Sequence, residues 1–353
     1  MACAWTNKRN AVEVCEFNGR TFMFFSGGDL YSIEKNFVDA PFYEGNISAT
    51  FPTGFNNAYQ LNGNLYVEDG SAYYKYGGAG SFSLASTMDG VAVPWSDNGR
   101  DAQSFTQADG TFLMMSGGEV WSTSDFISWT LLPVPASLAT GVSPVSICKF
   151  GSRYIASVYR DFTAGTGAAF YYSDDMTSWT PCSGVTYDEF AYVQATFVVQ
   201  GGAVYAVKDA DSGLGWGDGH LVVYRSTTGA SFSVVHSNGS SDNDNGAYIN
   251  CLVGDGVSAI VAVPQHPYVG ISRTNNGTSW SVTSSGFPFT GTTQQQYKDY
   301  GVIYTGAKFV LGLRFPFGAP STFTTSSDTT TWVEYPYMAA LPSREPDYIV
   351  AVL

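Results

Sequence analysis

Short runs in which apolar and polar positions alternate recur along the whole chain, and Gly, Asn or Asp interrupts them at close intervals. A period of two predicts strands rather than helices. Segments such as VEVCEF-NGR-TFMFF and AQSFTQ-ADG-TFLMM read as hairpins closed by an Asn-Gly or Asp-Gly turn. Turns of this kind stand at Gly19, Gly63, Gly110, Gly151, Gly202, Gly256 and Gly306.

In step with these turns runs a polar box that ends on an aromatic residue. Its clearest copies are VWSTSDFISWTLLP (120–133), YYSDDMTSWTPCSG (171–184), ISRTNNGTSWSVTS (271–284) and TFTTSSDTTTWVEYP (322–336). Counted back from the aromatic, each has Ser or Thr at six, Asp or Asn at four, and Ser or Thr at one. Weaker copies end on Phe37, Phe82 and Phe232, so the series is Phe37, Phe82, Trp129, Trp179, Phe232, Trp280 and Trp332, at intervals of 45, 47, 50, 53, 48 and 52. Each unit reads as strand A, Gly turn, strand B, loop, strand C, box turn, strand D. Four strands at such a period describe one blade of a propeller. The expected fold is all-β, a seven-bladed β-propeller of four-stranded antiparallel blades in a single domain over 1–353. Its blades fall near 11–44, 56–87, 101–133, 144–182, 191–236, 247–284 and 298–336. The run DYIVAVL (347–353) reads as a further strand that docks beside the first blade and closes the ring.

A tight C-to-D turn leaves backbone N–H groups unpaired, and Asp, Asn, Ser and Thr side chains accept from them locally. The ring of the aromatic then buries apolar area between sheets. At these residues the sequence resembles the Asp-box, or bacterial neuraminidase repeat, whose usual form is S-x-D-G-x-T-W. Thr274, Asn276, Gly277, Ser279 and Trp280 follow it with Asn for Asp; Ser173, Asp175, Ser178 and Trp179 keep the Asp and lose the Gly, as do Ser326, Asp328, Thr331 and Trp332. The resemblance implies architecture. It implies no activity, since Asp-box propellers include sialidases, other glycosidases and proteins without catalysis.

Composition narrows the partners. Charged residues are 13% of the chain, against about 25% in ordinary soluble domains. That is too few to coat the outer faces of helices. Sixteen basic against 30 acidic residues give a net charge of −14, which argues against nucleic acid as a partner. No apolar run is long enough to cross a bilayer, and MACAWTNKRN lacks the apolar stretch of a secretory signal, so neither membrane insertion nor a signal peptide is expected. Cys3, Cys15, Cys148, Cys182 and Cys251 are odd in number and widely spaced; they read as buried structural thiols.

The separation from Gly turn to box aromatic is 18, 19 and 19 residues in the first three units and 28, 30, 24 and 26 in the last four. The added length falls between strands B and C, and long loops on a rigid scaffold are where recognition usually resides. The inserted segments YRDFTAGTGA (159–168), KDADSGLGWGDGH (208–220), PQHPYVG (264–270) and RFPFGAP (314–320) bring Arg160, Asp161, Trp216, Asp218, His220, His266, Tyr268, Arg314, Phe315 and Phe317 to one rim, with Trp95 from 91–101. Exposed rings beside Asp, Arg and His suit sugar, whose CH faces pack on aromatics while hydroxyls take hydrogen bonds. Packing of these rings within their own loops is the alternative. Asp209, Asp211 and Asp218, or Asp242 and Asp244, are the acidic clusters nearest to a calcium loop, but neither keeps the offsets of one, and both read as solvated turns. His220, His236 and His266 form no metal pair. No metal and no cofactor is expected.

A sialidase would need three arginines converging on a carboxylate, an early Arg-Ile-Pro segment, a Tyr and Glu pair and an Asp acid. The chain has nine arginines and no Arg-Ile-Pro, and Arg20 sits in a hairpin turn. No catalytic residues are assigned. The style of the chain, rich in Gly, Ser, Thr and Tyr and poor in charge, resembles bacteriophage virion proteins. That resemblance implies a non-catalytic propeller, made in host cytoplasm, for attachment to a glycan or bacterial surface receptor or for virion assembly, with another virion protein as its anchor. A sialidase-like glycoside hydrolase and an intracellular protein-interaction scaffold are the alternatives.

Overall fold

The computed structural model describes residues 15–17, 19–25, 28–51, 57–69, 71–87, 104–106, 110–116, 119–160, 167–187, 195–209, 221–238, 251–263, 271–283, 299–314, 322–337 and 346–350. Blade 1 contains β1 (Cys15–Phe17), β2 (Arg20–Phe25), β3 (Asp29–Glu34) and β4 (Phe42–Asn46), and blade 2 contains β5 (Asn57–Leu61), β6 (Asn64–Glu68), β7 (Ala72–Gly78) and β8 (Ser81–Thr87). Blade 3 follows with β9 (Ser104–Thr106), β10 (Phe112–Ser116), β11 (Glu119–Thr123) and β12 (Thr130–Leu131). Blade 4 has β13 (Val142–Phe150), β14 (Arg153–Arg160), β16 (Phe170–Ser173) and β17 (Thr180–Pro181), with a separate ribbon of β15 (Gly167–Ala168) and β18 (Thr186–Tyr187). Blade 5 is β19 (Thr196–Gln200), β20 (Ala203–Asp209), β21 (Leu221–Ser226) and β22 (Ser233–Asn238). Blade 6 is β23 (Cys251–Gly254), β24 (Ile260–Val263), β25 (Ile271–Thr274) and β26 (Trp280–Thr283). Blade 7 is β27 (Asp299–Tyr304), β28 (Phe309–Arg314), β29 (Thr322–Ser326) and β30 (Val333–Glu334), and β31 (Pro346–Val350) comes last.

The fold is therefore the expected one: all-β, with seven consecutive four-stranded antiparallel blades of a seven-bladed β-propeller. The closing strand is also present. β31 pairs antiparallel with β2, placing Val350 opposite Phe22 and Ile349 opposite Met23. The chain divides into two compact units, Leu113–Trp121 with Leu131–Ser285, and Ala2–Phe112 with Ser122–Thr130 and Gly286–Leu353.

Within each unit the cores lie between successive blades. In the first, Cys148, Ile155, Phe170, Phe197 and Val204 join blades 4 and 5, and Val198, Tyr205, Leu252 and Ile260 join blades 5 and 6. In the second, Phe22, Phe24, Leu30, Phe51, Leu65 and Tyr76 join blades 1 and 2. This burial is the main driving force for stacking sheets that are each too thin to hold a core. The predicted hairpin chemistry holds in blade 2, whereas the connections at Gly256 and Gly306 are longer, 255–259 and 305–308. Asn62 and Gly63 both have positive φ (49° and 71°), as a two-residue turn of mirror-image type requires.

The box turns follow one plan. In blade 3, Thr123 Oγ1 accepts from Phe126 N at 2.9 Å while Asp125 Oδ1 accepts from Ile127 N and Ser128 N at 2.8 Å each. Ser173 and Asp175, Thr274 and Asn276, and Ser326 and Asp328 repeat it, Asp175 taking Thr177 N at 2.8 Å and Ser178 N at 2.7 Å. Blade 5 replaces the carboxylate by the Thr228 hydroxyl, which accepts from Ala230 N at 3.2 Å. One residue in each of these turns, three before the aromatic, is left-handed: Phe126, Met176, Gly229, Gly277 and Thr329 have φ of 54°, 63°, 74°, 71° and 62°.

That conformation corrects one assignment. Phe37 has φ 53° and Asn36 Oδ1 accepts from Val38 N, so Phe37 is the left-handed turn residue of blade 1, and Ala40 stands in the place of the box aromatic. Blade 2 departs further. Ala79 and Gly80, with φ of 46° and 71°, close a two-residue hairpin, and the Tyr76 hydroxyl substitutes for the box Ser or Thr, lying 3.5 Å from Gly80 N.

In blades 1 and 3 the left-handed residue is also pressed against the preceding blade. Phe126 is fully buried against Tyr59, Tyr66 and Tyr73 of blade 2, and Phe37 packs edge-on to Tyr335 of blade 7. In blades 5 and 6 the turn residue is Gly, set beside a large side chain of the preceding blade. A Cβ on Gly277 would lie 1.8 Å from the Tyr205 hydroxyl, and one on Gly229 would lie 3.0 Å from Arg153 Cδ. Gly277→Ala is accordingly predicted to lower stability by roughly 2 kcal/mol or more through this clash. Met176→Gly should raise it by up to about 1 kcal/mol by relieving the left-handed side chain. Paired denaturant titrations check both, and equal midpoints for Gly277→Ala and wild type would refute the clash. Removing 347–353 should lower the unfolding midpoint sharply, because the β2 edge loses its partner; an unchanged midpoint would exclude the latch.

Candidate functional site

The loops between the second and third strands differ sharply among blades. They span 26–28, 69–71 and 117–118 in blades 1 to 3, but 161–169, 210–220, 264–270 and 315–321 in blades 4 to 7. The sequence-based length argument therefore located the insertions correctly. In blade 2 the short loop is closed by local capping: Asp69 Oδ1 accepts from Ser71 N and Ala72 N at 2.9 Å each. Such a turn has little surface left for a ligand.

Of the predicted site residues, Arg160 and Arg314 lie at strand ends that open into these loops. Arg160 is paired with Val142 at the end of β14, and Arg314 with Asp299 at the end of β28. Trp95, Asp161, Trp216, Asp218, His220, His266, Tyr268, Phe315 and Phe317 lie outside the described residues, as do Asp211, Asp242 and Asp244. Asp209 is the last residue of β20, paired with Leu221, so the segment 210–220 leaves and re-enters the blade at one rung of the ladder. Among the described residues no group of three His, Cys, Asp or Glu is placed to hold a metal ion.

The blade 4 insertion has a feature that the sequence reading missed. Its return limb is woven into a ribbon, Gly167 pairing with Tyr187 and Ala168 with Thr186, while Ala169 N donates to Val185 O at 3.0 Å. The next residues toward the box bind blade 5: Ser183 N donates to Ala230 O, and Phe232 N donates to Ser183 O at 2.9 Å. A Cβ on Gly184 would lie 1.9 Å from Phe232 O, so this junction admits only glycine. The described end of this insertion, 167–169, is thus fastened to the segment 183–187, which is itself bonded to blade 5. The Gly-rich AGTGAA hides the ribbon; the run Val185-Thr186-Tyr187 was its one legible signal.

Several charged groups among the described residues are bound into the scaffold. Arg153 binds Asp174 through Nε and Nη2 at 2.8 and 2.9 Å, donates Nη1 to Thr228 O at 2.8 Å, and lies over the Tyr172 ring. Arg20 pairs with Glu34, and Glu44 accepts from the Tyr76 hydroxyl at 2.8 Å; burial and that carboxylate push the Tyr76 phenol well up. His236 stacks on Trp280 at 5.3 Å, bonds Ser272 Oγ at 2.8 Å, and burial lowers its pKa. Cys148 and Cys182 are free buried thiols, and burial pushes Cys182 up to about 12, so neither is a poised nucleophile.

No family model and no curated protein sequence matches the chain. In fold it is similar to the computationally designed Ika8 protein, with 7% identity and a TM-score of 0.50 over 99% of this chain and 92% of that one. It is also similar to a GH74 xyloglucanase from Xanthomonas campestris (11% identity, TM-score 0.39, 95% of this chain and 46% of that one). A third likeness is to the alpha-L-arabinanase of Penicillium chrysogenum (11% identity, TM-score 0.39, 86% and 93%). The chain spans about half the length of the xyloglucanase. At these identities the likeness extends to the fold alone.

The carboxylates of the box turns are held ionised by main-chain donors. The N–H groups of Ser178 and Thr177 hold Asp175 far below the usual carboxylate range. At Asp125 and Asp328 burial acts upward but the N–H donors outweigh it, and both are lowered. A carboxyl with a depressed folded-state pKa stabilises above its unfolded pKa of about 3.9 and loses that contribution as pH falls. Melting temperature should therefore drop below about pH 4. Replacing Asp125, Asp175 and Asp328 by Asn, which keeps the acceptor as Asn276 does, should flatten that drop. An equally steep acid limb in the triple variant would contradict the assignment.

Proposed function

We propose that this chain is a non-catalytic attachment propeller of the Asp-box kind, carried on a bacteriophage particle, which binds a glycan or bacterial surface receptor through the lengthened loops of blades 4 to 7. The observation that carries the reading is the confinement of long second-to-third-strand loops to four consecutive blades, 161–169, 210–220, 264–270 and 315–321. The blades beneath them are fastened by main-chain hydrogen bonds and buried rings, so variation in the loops costs the scaffold little. Trp216, Tyr268, Phe315 and Phe317 offer faces for sugar rings, and Arg160, Asp161, Asp218, His220, His266 and Arg314 offer donors and acceptors for hydroxyls. Trp95 adds a further ring from the connection between blades 2 and 3. A second virion protein anchors the propeller in the particle.

A glycan array probed with the purified chain, followed by binding to host cells, tests the reading. Wild type should retain a discrete set of glycans, and Trp216→Ala should weaken that binding at least about tenfold, the loss of one aromatic platform. Its melting temperature should stay unchanged. Binding that survives Trp216→Ala together with Tyr268→Ala would overturn the site. Turnover of a glycoside panel by the wild-type chain would overturn the non-catalytic role.

A further inference from the structure

β1 and β31 meet on one edge of β2. Cys15, Glu16 and Phe17 pair with Phe22, Thr21 and Arg20, whereas Pro346, Tyr348, Ile349 and Val350 pair with Phe25, Phe24, Met23 and Phe22. Phe22 is the changeover residue, facing Cys15 and Val350 at once. Both strands also lie against β5 of blade 2, so the first-strand position of blade 1 is assembled from two segments far apart in sequence.

The seam between blades 7 and 1 is fastened independently of this strand. Thr305 Oγ1 donates to Lys35 O at 2.6 Å, the Tyr335 hydroxyl donates to Asp39 O at 2.6 Å, and the Tyr335 ring packs on Phe37 at 5.4 Å. Tyr335 is fully buried and precedes β31, so the seam is already held where the chain turns off toward β2.

We infer that β31 is a separable strand, and that the edge of β2 over Phe22–Phe25 is an interaction surface for an extended strand, its occupant being the Pro346–Val350 segment of a second copy of this chain. An uncovered edge would leave main-chain donors and acceptors unpaired beside side chains that are buried at Phe22, Met23 and Phe24. Some strand must therefore fill it. The segment from another copy meets the same register, including the shift between Phe24 and Phe25 that seats Pro346, a residue without an N–H to offer. The tether from Tyr337 to Pro346 gives the chain's own strand an effective concentration of the order of millimolar, so exchange between copies emerges at high protein concentration or when the tether is cut.

The test inserts a specific protease site within 338–345, cleaves it, and incubates the nicked protein with a labelled peptide of residues 346–353. In parallel, the uncut wild type is concentrated and followed by light scattering. The nicked chain should stay folded by circular dichroism and take up one labelled peptide per chain. The uncut chain should form dimers that are lost in Ile349→Pro, since proline at a paired position breaks the ladder. A nicked chain that remains folded but takes up no peptide, or that unfolds on cleavage, would overturn separability. Peptide uptake without any dimer of the uncut chain would overturn the second copy as occupant. Should Ile349→Pro fail to fold, the nicked-chain exchange and wild-type dimerisation decide the matter between them.

Discussion

Every blade must reverse the chain tightly between its third and fourth strands, and a reversal of that kind strands backbone N–H groups that no ladder can satisfy. The solution in six of the seven blades is a side-chain oxygen four residues before the aromatic position, acting with one left-handed residue directly after it. The chemistry of the acceptor is interchangeable. Asp, Asn and Thr all occupy the place, because what the turn needs is an oxygen at the right distance rather than a charge. The left-handed conformation is not interchangeable, and Phe, Met and Thr adopt it here against their preference.

The same turn residue connects local geometry to assembly. In blade 3 the left-handed Phe126 inserts among blade 2 tyrosines, while in blades 5 and 6 glycine makes room for Arg153 and Tyr205 of the preceding blade. Ring packs on ring at the first of these junctions and large faces small at the other two, and either way the space is filled as a close-packed interior requires. Polar side chains add a second fastening. Asn62 donates to Gly110 O and Ser124 O, and Gln200 donates to Ala259 O while accepting from Gly256 N. These bonds end on main-chain groups, which do not vary with sequence, and they add to the apolar burial that holds successive blades together.

Blade count, hairpin turns, the closing strand and the blades with long loops were legible because each rests on spacing. The period of the glycines and aromatics survives substitution at most other positions. Phe37 marks the limit of spacing for a related reason: an aromatic near the expected interval reads as the ring of the box, whereas its φ makes it the turn residue, a distinction that one-letter patterns cannot carry. Tyr76 was invisible as a stand-in for Ser because its hydroxyl reaches the turn from a longer side chain. The ribbon of Gly167–Ala168 with Thr186–Tyr187 escaped because its pairing is non-local and its first limb is too rich in Gly to alternate. Of the candidate rim, spacing gave the loops and their strand-end anchors at Arg160 and Arg314. Which side chains converge depends on loop conformation, for which the sequence has no period to read.

Under the proposed function, scaffold and recognition surface divide: recognition falls to the long loops of blades 4 to 7. Hydrogen–deuterium exchange on the chain with and without host-surface glycan tests that division most directly. Added glycan should slow exchange within 161–169, 210–220, 264–270 and 315–321, leaving the short loops 26–28, 69–71 and 117–118 and the box turns unchanged. Protection that appears instead on the short loops or box turns, with none on the long loops, would contradict it.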